Sequence, residues 1–273
     1  MVEIINRNEK EANPDIKLRY GSTEASVSLD GAYVTRLSFD GQDILFPDGS
    51  YPINGKEKRR GGMPPMFPYA GPLENHPDWP QHGFARDMEW KDKTIYEDLE
   101  PQGILLELKS NEKTQKLFPY QFRDELEIVL GENGFSYKLI VFNEGTKDMP
   151  IAPGVHPYFC LPTGELSDIE TNIKGLDLED YQLTKTLFLP VQKEVEIKIP
   201  KIGGIKMLLG GDFLRDKAQL WFWTDSSNYD YFCVEPCSGP VGSFLKEDER
   251  ILVPAGENKK FTMQLTLNNP SFE

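Results

Sequence analysis

The sequence predicts an all-β fold in which two or more antiparallel sheets pack as a β-sandwich. Apolar residues alternate with polar ones in several separate stretches, which is the period of a strand with one buried face. Glycine and proline occur 23 and 21 times without a repeat or a low-complexity linker, and they mark frequent turns. No apolar pattern fits a helix longer than about three turns.

The predicted strands extend from residue 33 to residue 267. Those with one buried face are Tyr33–Phe39, Leu126–Leu130, Phe135–Val141, Val195–Ile199 and Phe261–Leu267, and those buried on both faces are Leu220–Thr224 and Tyr231–Val234. Glu132-Asn133-Gly134 separates the second and third of these strands. Because an Asn-Gly pair tolerates the positive φ of hairpin turns, we predict a hairpin there.

Residues 63–80 are the exception to this pattern, since six of these 18 residues are prolines. Proline lacks the N–H that a central strand or a helix interior needs. We therefore predict an ordered loop or an edge segment. Two readings stay open at this point, a binding loop held by the rigid sheets and a surface crossover without a function.

The composition limits the classes of function. With 44 acidic and 30 basic side chains the net charge is −14, which disfavours nucleic acid and anionic membranes as partners. No stretch has the length of a membrane span or the apolar core of a signal peptide, so we expect a cytoplasmic protein. We expect residues 1–273 to form a single domain, because β-sandwiches often exceed two hundred residues.

The three cysteines, Cys160, Cys233 and Cys237, have no C-x-x-C spacing. Their odd number and this spacing indicate neither a disulfide framework nor a structural zinc site. We expect each of them to be a small buried apolar residue.

Three histidines are the first candidates for acid–base chemistry. His76 lies in the proline-rich segment, where we expect exposure and no further role. His82 is followed by Gly83, which permits a close approach of another group. Arg86 lies four positions after His82, which would place both on one face of a strand. His156 lies in a short extended stretch that prolines on either side stiffen.

Glu235 ends an otherwise apolar strand, where burial would raise its pKa toward neutrality and suit it to proton transfer. A solvated strand end is the other reading of this position. Arg59 and Arg60 precede two glycines and suit either a sugar hydroxyl or a phosphate, or form a surface pair. The sequence contains no nucleotide-binding loop, serine-hydrolase elbow or zinc-protease motif.

Several of these residues fall in motifs that resemble the aldose 1-epimerase (galactose mutarotase-like) superfamily, closest to its hexose-6-phosphate mutarotase branch. The motifs are Arg60-Gly61-Gly62-Met63-Pro64, Gln81-His82-Gly83-Phe84-Ala85-Arg86, Gly154-Val155-His156-Pro157-Tyr158-Phe159 and Val234-Glu235-Pro236. The resemblance implies an antiparallel β-supersandwich with a sugar pocket on one sheet. It also implies His156 as general acid, Glu235 as base, and Arg60, His82 and Arg86 as substrate-binding residues. For these roles we expect His156 and Glu235 to face each other across a bound pyranose ring.

The same resemblance implies an isomerase that interconverts the anomers of a hexose or hexose 6-phosphate without a metal or other cofactor. We expect a small-molecule sugar or sugar phosphate as its partner and a monomer or weak dimer as its state. The family's sugar-binding aspartate has four candidates here, Asp177, Asp180, Asp225 and Asp230. A non-catalytic carbohydrate-binding module is the main alternative, and a glycoside hydrolase would require a second catalytic carboxylate.

Overall fold

A computed structural model describes residues 3–5, 15–53, 55–96, 102–225 and 230–268. The strands in the first half of the chain are β1 (Glu3–Ile5), β2 (Asp15–Tyr20), β3 (Thr23–Ser28), β4 (Val34–Phe39), β5 (Gln42–Asp43), β6 (Gly49–Ile53), β7 (Lys56–Arg60), β8 (Pro65–Met66), β9 (Lys91–Tyr96), β10 (Gln102–Lys109), β11 (Phe122–Gly131) and β12 (Gly134–Asn143). Those in the second half are β13 (Met149–Ile151), β14 (Gly154–Val155), β15 (Tyr158–Cys160), β16 (Glu170–Thr171), β17 (Leu187–Pro190), β18 (Glu194–Ile199), β19 (Gly203–Gly211), β20 (Gln219–Trp223), β21 (Tyr231–Cys237), β22 (Ile251–Val253) and β23 (Asn258–Asn268).

Among the described residues, helical structure is limited to one short α-helix, α1 (Glu112–Leu117), and four single 3₁₀ turns at Ala85–Asp87, Leu166–Asp168, Asp212–Leu214 and Ser243–Leu245. A capping box starts α1, in which the Asn111 side chain accepts from the Thr114 N–H and the Thr114 hydroxyl accepts from the Asn111 N–H. The prediction that no helix is long is confirmed. Within the described ranges, no helix has both the length and the apolar character needed to cross a membrane.

The strands form an antiparallel β-supersandwich, as the sequence predicted. β1 to β5 follow one another in a five-stranded sheet, and an eight-stranded sheet has the order β16-β18-β19-β23-β12-β11-β10-β9. A six-stranded sheet has the order β17-β20-β21-β14-β8, with β15 also paired to β21. The remaining described strands form two two-stranded sheets, β6-β7 and β13-β22.

The predicted hairpin joins β11 to β12, and the two strands pair from Phe122↔Asn143 to Gly131↔Gly134. Buried and partly exposed residues alternate along the whole length of β11. The positive φ belongs to Gly134 rather than to Asn133, and a Cβ on Gly134 would lie 2.4 Å from the Leu265 carbonyl oxygen. Glycine is therefore required there both by backbone conformation and by the closeness of β23.

A large hydrophobic cluster joins the sheets and includes residues from Ile16 to Leu265. The eight-stranded sheet contributes alternate residues such as Leu126, while the six-stranded sheet contributes Phe232 and Val234 of β21. The other face of β21 points away from this cluster, because side chains alternate along a strand. β21 is thus buried on both faces, as predicted, with core on one side and other buried groups on the opposite side.

β4 differs from its predicted pattern, because both of its faces are buried and only Arg36 is exposed. A backbone bridge pairs Val34 with Met63 of the proline-rich segment, and both side chains belong to the main hydrophobic cluster. The first part of this segment, from Met63 to Gly71, is buried, so this stretch is not a surface crossover.

The proline-rich segment is an ordered edge segment, as predicted. β8 pairs with β14 at one edge of the six-stranded sheet. The Ala70 N–H donates to the Ala152 carbonyl, and the Ala152 N–H donates to the Pro68 carbonyl. These bonds hold residues 63–71 against the sheet that carries His156 and Glu235.

Asp124 is an ionisable residue within the apolar core. It lies on the buried face of β11 between Phe122 and Leu126, and its side chain is 0% exposed. Neither carboxyl oxygen has a hydrogen-bond partner among the described residues. Burial raises the pKa of Asp124 well above its ordinary value of 3.8, so the protonated form is favoured in the folded protein.

We expect Asp124→Asn to increase the free energy of unfolding at neutral pH. The folded state keeps the Asp124 proton at pH values where the unfolded chain has lost it, so rising pH favours unfolding of the wild type. Asparagine removes this penalty, so the gain in the free energy of unfolding should be larger at pH 8.5 than at pH 5. Urea unfolding at pH 5, 7 and 8.5 measures it. The matched control is Asp148→Asn at an exposed carboxyl, and an equal gain in the control would contradict the explanation.

Candidate active site

All five residues predicted for the site line one cavity of about 400 Å³. The cavity opens on the face of the six-stranded sheet that points away from the main hydrophobic cluster. Its lining consists of Arg60, Gly71, Pro72, Gln81, His82, Arg86, His156, Tyr158, Thr184, Thr186, Phe188, Trp221, Trp223, Glu235 and Val241. Residues that are distant in sequence therefore converge, as the prediction of one site required.

Strand register brings His156 and Glu235 together. β21 pairs with β14 at Gly154↔Cys237 and with β15 at Tyr158↔Cys233. Midway between these pairs, the same register puts His156 opposite Glu235, because antiparallel partners advance in opposite directions by equal steps. Directly opposite residues on one face have neighbouring side chains.

The two side chains are in direct contact, with 3.4 Å between His156 Nε2 and Glu235 Oε1. His156 is 4% exposed and Glu235 is 2% exposed. The distance differs from the sequence-based expectation that the two groups face each other across a pyranose ring. Each also has a second polar atom, His156 Nδ1 and Glu235 Oε2, with no hydrogen-bond partner among the described residues.

Burial determines the protonation of this pair. It raises the pKa of Glu235 from 4.5 to about 8, and the positive charge of Arg86 opposes only part of that rise. Burial, together with Arg86 and Arg60, lowers the pKa of His156 from 6.5 to about 3. At neutral pH these shifts favour one proton on the Glu235 carboxyl beside a neutral His156 imidazole. The predicted rise in the pKa of Glu235 is confirmed.

Aromatic rings hold the His156 imidazole in place. It stacks on Tyr158 with ring centroids 4.5 Å apart and an interplanar angle of 9°. The His82 ring meets it edge-on at 5.2 Å. The backbone N–H of His156 donates to the Pro64 carbonyl, so the proline-rich segment fixes the main chain as well. The predicted rigidity of this histidine is therefore present in the packing around it.

His82 is held in one tautomer by Gly71. The backbone N–H of Gly71 donates to the ring nitrogen Nδ1 of His82 at 3.0 Å, and the backbone N–H of His82 donates to the Gly71 carbonyl at 2.9 Å. Because Nδ1 accepts, the ring proton lies on Nε2. The Gln81 amide nitrogen lies 3.1 Å from Nε2, so the Gln81 amide must turn its oxygen toward the ring to accept this proton. Burial and the charges nearby lower the pKa of His82, so it stays neutral and offers an N–H donor.

The segment that carries His82 and Arg86 is not a strand, contrary to the prediction. His82 and Gly83 have φ values of 68° and 70°, and Ala85–Asp87 forms a 3₁₀ turn. A Cβ on Gly83 would lie 2.1 Å from the Phe67 carbonyl oxygen, so the expected close approach at this glycine is present. A non-glycine residue with positive φ stores strain of about 1–3 kcal/mol, which is common where a side chain serves a site.

The three arginines differ in their partners. Arg59 forms a bidentate ion pair with Asp48 and covers the Tyr33 ring, and it does not line the cavity. Arg60 Nη2 lies 3.3 Å from Asp225 Oδ2. Arg86 donates to the Gln81 carbonyl and has no acidic partner among the described residues. Arg86 thus adds an uncompensated positive charge to the cavity wall.

Asp225 is the one of the four candidate aspartates that lies beside the cavity. It is buried and contacts Arg60, which lines the cavity. Asp177, Asp180 and Asp230 are exposed, and the Asp177 carboxylate accepts from the N–H groups of Glu179 and Asp180. The sequence alone left this choice open, because it depends on the strand that brings residue 225 next to Arg60.

Sequence reasoning missed the aromatic wall of the cavity. Trp221 and Trp223 lie on the same face of β20, next to the strand that carries Glu235, and Trp221 is the direct partner of Glu235. Phe188 on the edge strand β17 is 46% exposed and meets Trp221 edge-on. The spacing of the two tryptophans was a visible signal, but both had been included in a buried strand without a role.

His76 is exposed, as expected, and contacts Trp79. All three cysteines are free. Cys233 and Cys237 are buried as predicted, whereas Cys160 is only partly buried. The sulfur of Cys233, a ring nitrogen of His156 and a carboxyl oxygen of Glu235 all lie within 4.8 Å of one another. The sequence context of Cys233 did not indicate this cluster.

The aldose 1-epimerase family matches residues 14–203 of this chain. A putative glucose-6-phosphate 1-epimerase of Escherichia coli (strain K12) is 28% identical over 120 residues, which is 44% of this chain and 40% of that protein. A protein of the same description from Cenchrus ciliaris is 30% identical over 170 residues, 58% of this chain and 48% of that protein. The matches thus cover less than half the length of each of these relatives, and Glu235 lies beyond the family match.

Solved structures show the same fold. The Slr1438 protein from Synechocystis sp. PCC 6803 superposes with a TM-score of 0.76 at 24% identity, covering 98% of this chain and 100% of that one. A galactose mutarotase related enzyme from Lactobacillus acidophilus superposes with a TM-score of 0.73 at 20% identity, covering 94% and 98%. At these identities the likeness is one of fold.

We expect Glu235→Gln to unfold less readily than the wild type at alkaline pH. The folded pKa of Glu235, about 8, lies above its ordinary value, so the wild type loses stability as pH rises toward 8 while the unfolded carboxyl is already ionised. The stability difference should grow by at most about 1.4 kcal/mol per pH unit between pH 6 and 8. Thermal and urea unfolding of both proteins measure it. Glu132→Gln, at the exposed hairpin turn, is the control, and a pH-independent difference would refute the assignment.

Proposed function

The chain belongs to the aldose 1-epimerase family, and from that premise we propose that it interconverts the α and β anomers of a hexose or hexose 6-phosphate. The observation that carries the proposal is the buried contact between the His156 imidazole and the Glu235 carboxyl on the wall of a sugar-sized cavity. The opening of a cyclic hemiacetal needs an acid within reach of the ring oxygen and a base within reach of the anomeric hydroxyl.

Ring opening moves two protons at one carbon. One proton leaves the hydroxyl oxygen O1, another reaches the ring oxygen O5, and the bond between C1 and O5 breaks to give the aldehyde. Rotation about the C1–C2 bond then presents the other face of the carbonyl, and reversal of both transfers closes the ring as the opposite anomer. Because O1 and O5 are both bonded to C1, two catalytic groups that touch each other can serve both oxygens.

The pair needs to hold a single proton in every step. The raised pKa of Glu235 and the lowered pKa of His156 favour this proton on Glu235, with neutral His156 beside it. From that state the carboxyl can protonate O5 while the imidazole accepts the proton of O1. The opposite roles, which the family resemblance implies, require prior transfer of the proton across the 3.4 Å contact. Both assignments conserve protons. In each, ring closure starts from the protonation state of Glu235 and His156 that ring opening has left, and it reverses the two proton transfers.

Other groups of the cavity suit the hydroxyls of a sugar. His82 offers its Nε2–H, and Arg60 and Asp225 offer a paired donor and acceptor. The Arg60 guanidinium lies 5.3 Å from the centre of the Trp223 ring, so aromatic and charged groups adjoin. We infer that this side of the cavity binds the hydroxyl-bearing carbons, away from C1.

Arg86 supports a phosphorylated substrate. Its guanidinium has no acidic partner in the described part of the chain, although the protein as a whole carries a net charge of −14. An unpaired arginine on a cavity wall suits a phosphate, which accepts two of its hydrogen bonds at once. The relatives described as putative glucose-6-phosphate 1-epimerases point to the same class of substrate.

A glycoside hydrolase is less compatible with this cavity. Its two carboxyl groups would flank the scissile bond about 5 to 9.5 Å apart. Glu235 is the only carboxylate among the described residues that line the cavity. Hydrolysis of aryl glycosides would be the outcome that favours that function over anomer exchange.

We expect Glu235→Gln to abolish accelerated anomer exchange. An amide cannot exchange a proton with O1 or O5, and loss of a positioned acid or base lowers a rate by about 10² to 10⁴. Polarimetry or exchange NMR on fresh α-glucose, α-galactose and their 6-phosphates measures the rate. Glu132→Gln should retain the wild-type rate. Saturable sugar binding without any acceleration by the wild-type protein would instead favour a carbohydrate-binding module.

We expect Arg86→Gln to discriminate between phosphorylated and free hexose. Loss of a charge-assisted contact should lower kcat/KM for a hexose 6-phosphate by about 10- to 100-fold, while the value for the free hexose should change by less than about threefold. Arg59→Gln is the matched control, because Arg59 is paired with Asp48 outside the cavity. Equal losses for both substrates would refute the phosphate assignment.

A further inference from the structure

A third donor side chain lies beside the catalytic pair. The thiol sulfur of Cys233, a ring nitrogen of His156 and a carboxylate oxygen of Glu235 all lie within 4.8 Å of one another, and all three residues are buried. Cys233 precedes Glu235 by two residues on β21, so both project from the same face of the strand. His156 approaches from the neighbouring segment, opposite Glu235.

This set of donors is one that zinc favours. Cysteine, histidine and glutamate all bind zinc, and catalytic or inhibitory zinc sites commonly use three protein ligands and leave the fourth position open. Donors bound to one tetrahedral zinc ion lie about 3.3 to 3.8 Å apart, given metal–ligand bonds of about 2.0 to 2.3 Å. The His156–Glu235 contact of 3.4 Å already meets this geometry, and the separations from the Cys233 sulfur, at most 4.8 Å, would need to shorten by at most about 1.3 Å.

We propose that His156, Cys233 and Glu235 form a binding site for a borderline-soft divalent cation such as Zn²⁺, and that the cation blocks proton transfer by the catalytic pair. His156 and Glu235 line the cavity, so the ion has a path to the site from solvent. Its fourth position would face the cavity and hold water or a sugar oxygen. The binding is independent of the proposed function, whereas the inhibition rests on it.

Charge balance allows a cation to bind here in spite of the arginines. Arg60 is paired with Asp225, which leaves Arg86 as the cavity arginine without an acidic partner in the described part of the chain. Zinc binds cysteine as thiolate and glutamate as carboxylate, so these two anions cancel the two positive charges of the ion. The occupied site is then neutral overall, and it adds no net positive charge next to Arg86.

Cobalt binding tests the site without reference to activity. Co²⁺ substitutes for zinc at sites of this kind, and a cobalt–thiolate bond gives a charge-transfer absorption in the near ultraviolet. We expect wild-type protein to bind one Co²⁺ per chain with this absorption, and Zn²⁺ to displace it. Absence of the thiolate absorption in the wild-type protein at saturating Co²⁺ would overturn the proposal, and this measurement needs no variant.

Two cysteine variants localise the site. Cys233→Ser should lose the thiolate absorption and lower the zinc affinity by more than about tenfold. Cys237→Ser, at the other buried cysteine of β21, should keep both. Thermal unfolding establishes that each variant is folded, and Cys233→Ala replaces the serine variant if that one is not. Unchanged affinity in a folded Cys233 variant, or equal loss in Cys237→Ser, would also overturn the proposal.

Activity measurements separate this proposal from the proposed function. We expect Zn²⁺, buffered by a chelator, to inhibit anomer exchange by the wild type over the same concentrations at which it displaces Co²⁺. Inhibition should move to higher zinc concentration in Cys233→Ser. Metal binding in a protein that exchanges no anomers would contradict the proposed function alone. Anomer exchange that zinc leaves unchanged at saturation would contradict the inhibition.

Discussion

The contact between a buried imidazole and a buried carboxyl depends on the register of one strand. β21 has β20 on one side and the pair β14 and β15 on the other, and this arrangement puts Trp221, Glu235 and His156 in one row across the sheet. The next row contains Trp223, Cys233 and Tyr158. Two adjacent rows thus supply His156 and Glu235, the ring that stacks on His156, and most of the aromatic wall.

Holding these groups out of water is unfavourable, and the surrounding packing has to offset it. Glu235 and His156 each retain a buried polar atom without a hydrogen-bond partner in the described part of the chain, which costs about 1–3 kcal/mol for each atom. The opposite face of β21 packs Phe232 and Val234 into the main hydrophobic cluster. A strand with one face in the core and the other on the cavity can hold polar groups in place that a loop could not.

Many of the strands and the convergence of the five candidate residues on one cavity were predictable from sequence, because both leave local signals. Alternation predicted β11, β12 and β18, and the motifs around His82, His156 and Glu235 predicted the side chains that line the cavity. Three contacts were not predictable: the ion pair of Asp225 with Arg60, the ion pair of Arg59 with Asp48, and the closeness of Cys233 to His156 and Glu235. Each depends on which strands become neighbours, and spacing along a single chain carries no information about that.

The row-by-row construction of the cavity makes it unusually intolerant of insertions and deletions within β21. Removing one residue between Cys233 and Glu235 would rotate every later side chain of the strand to the opposite face. The carboxylate would then enter the apolar cluster, and Pro236 would take its position. Lineages of this fold should therefore vary in length in their connecting loops while the segment from residue 231 to residue 237 keeps a constant number of residues.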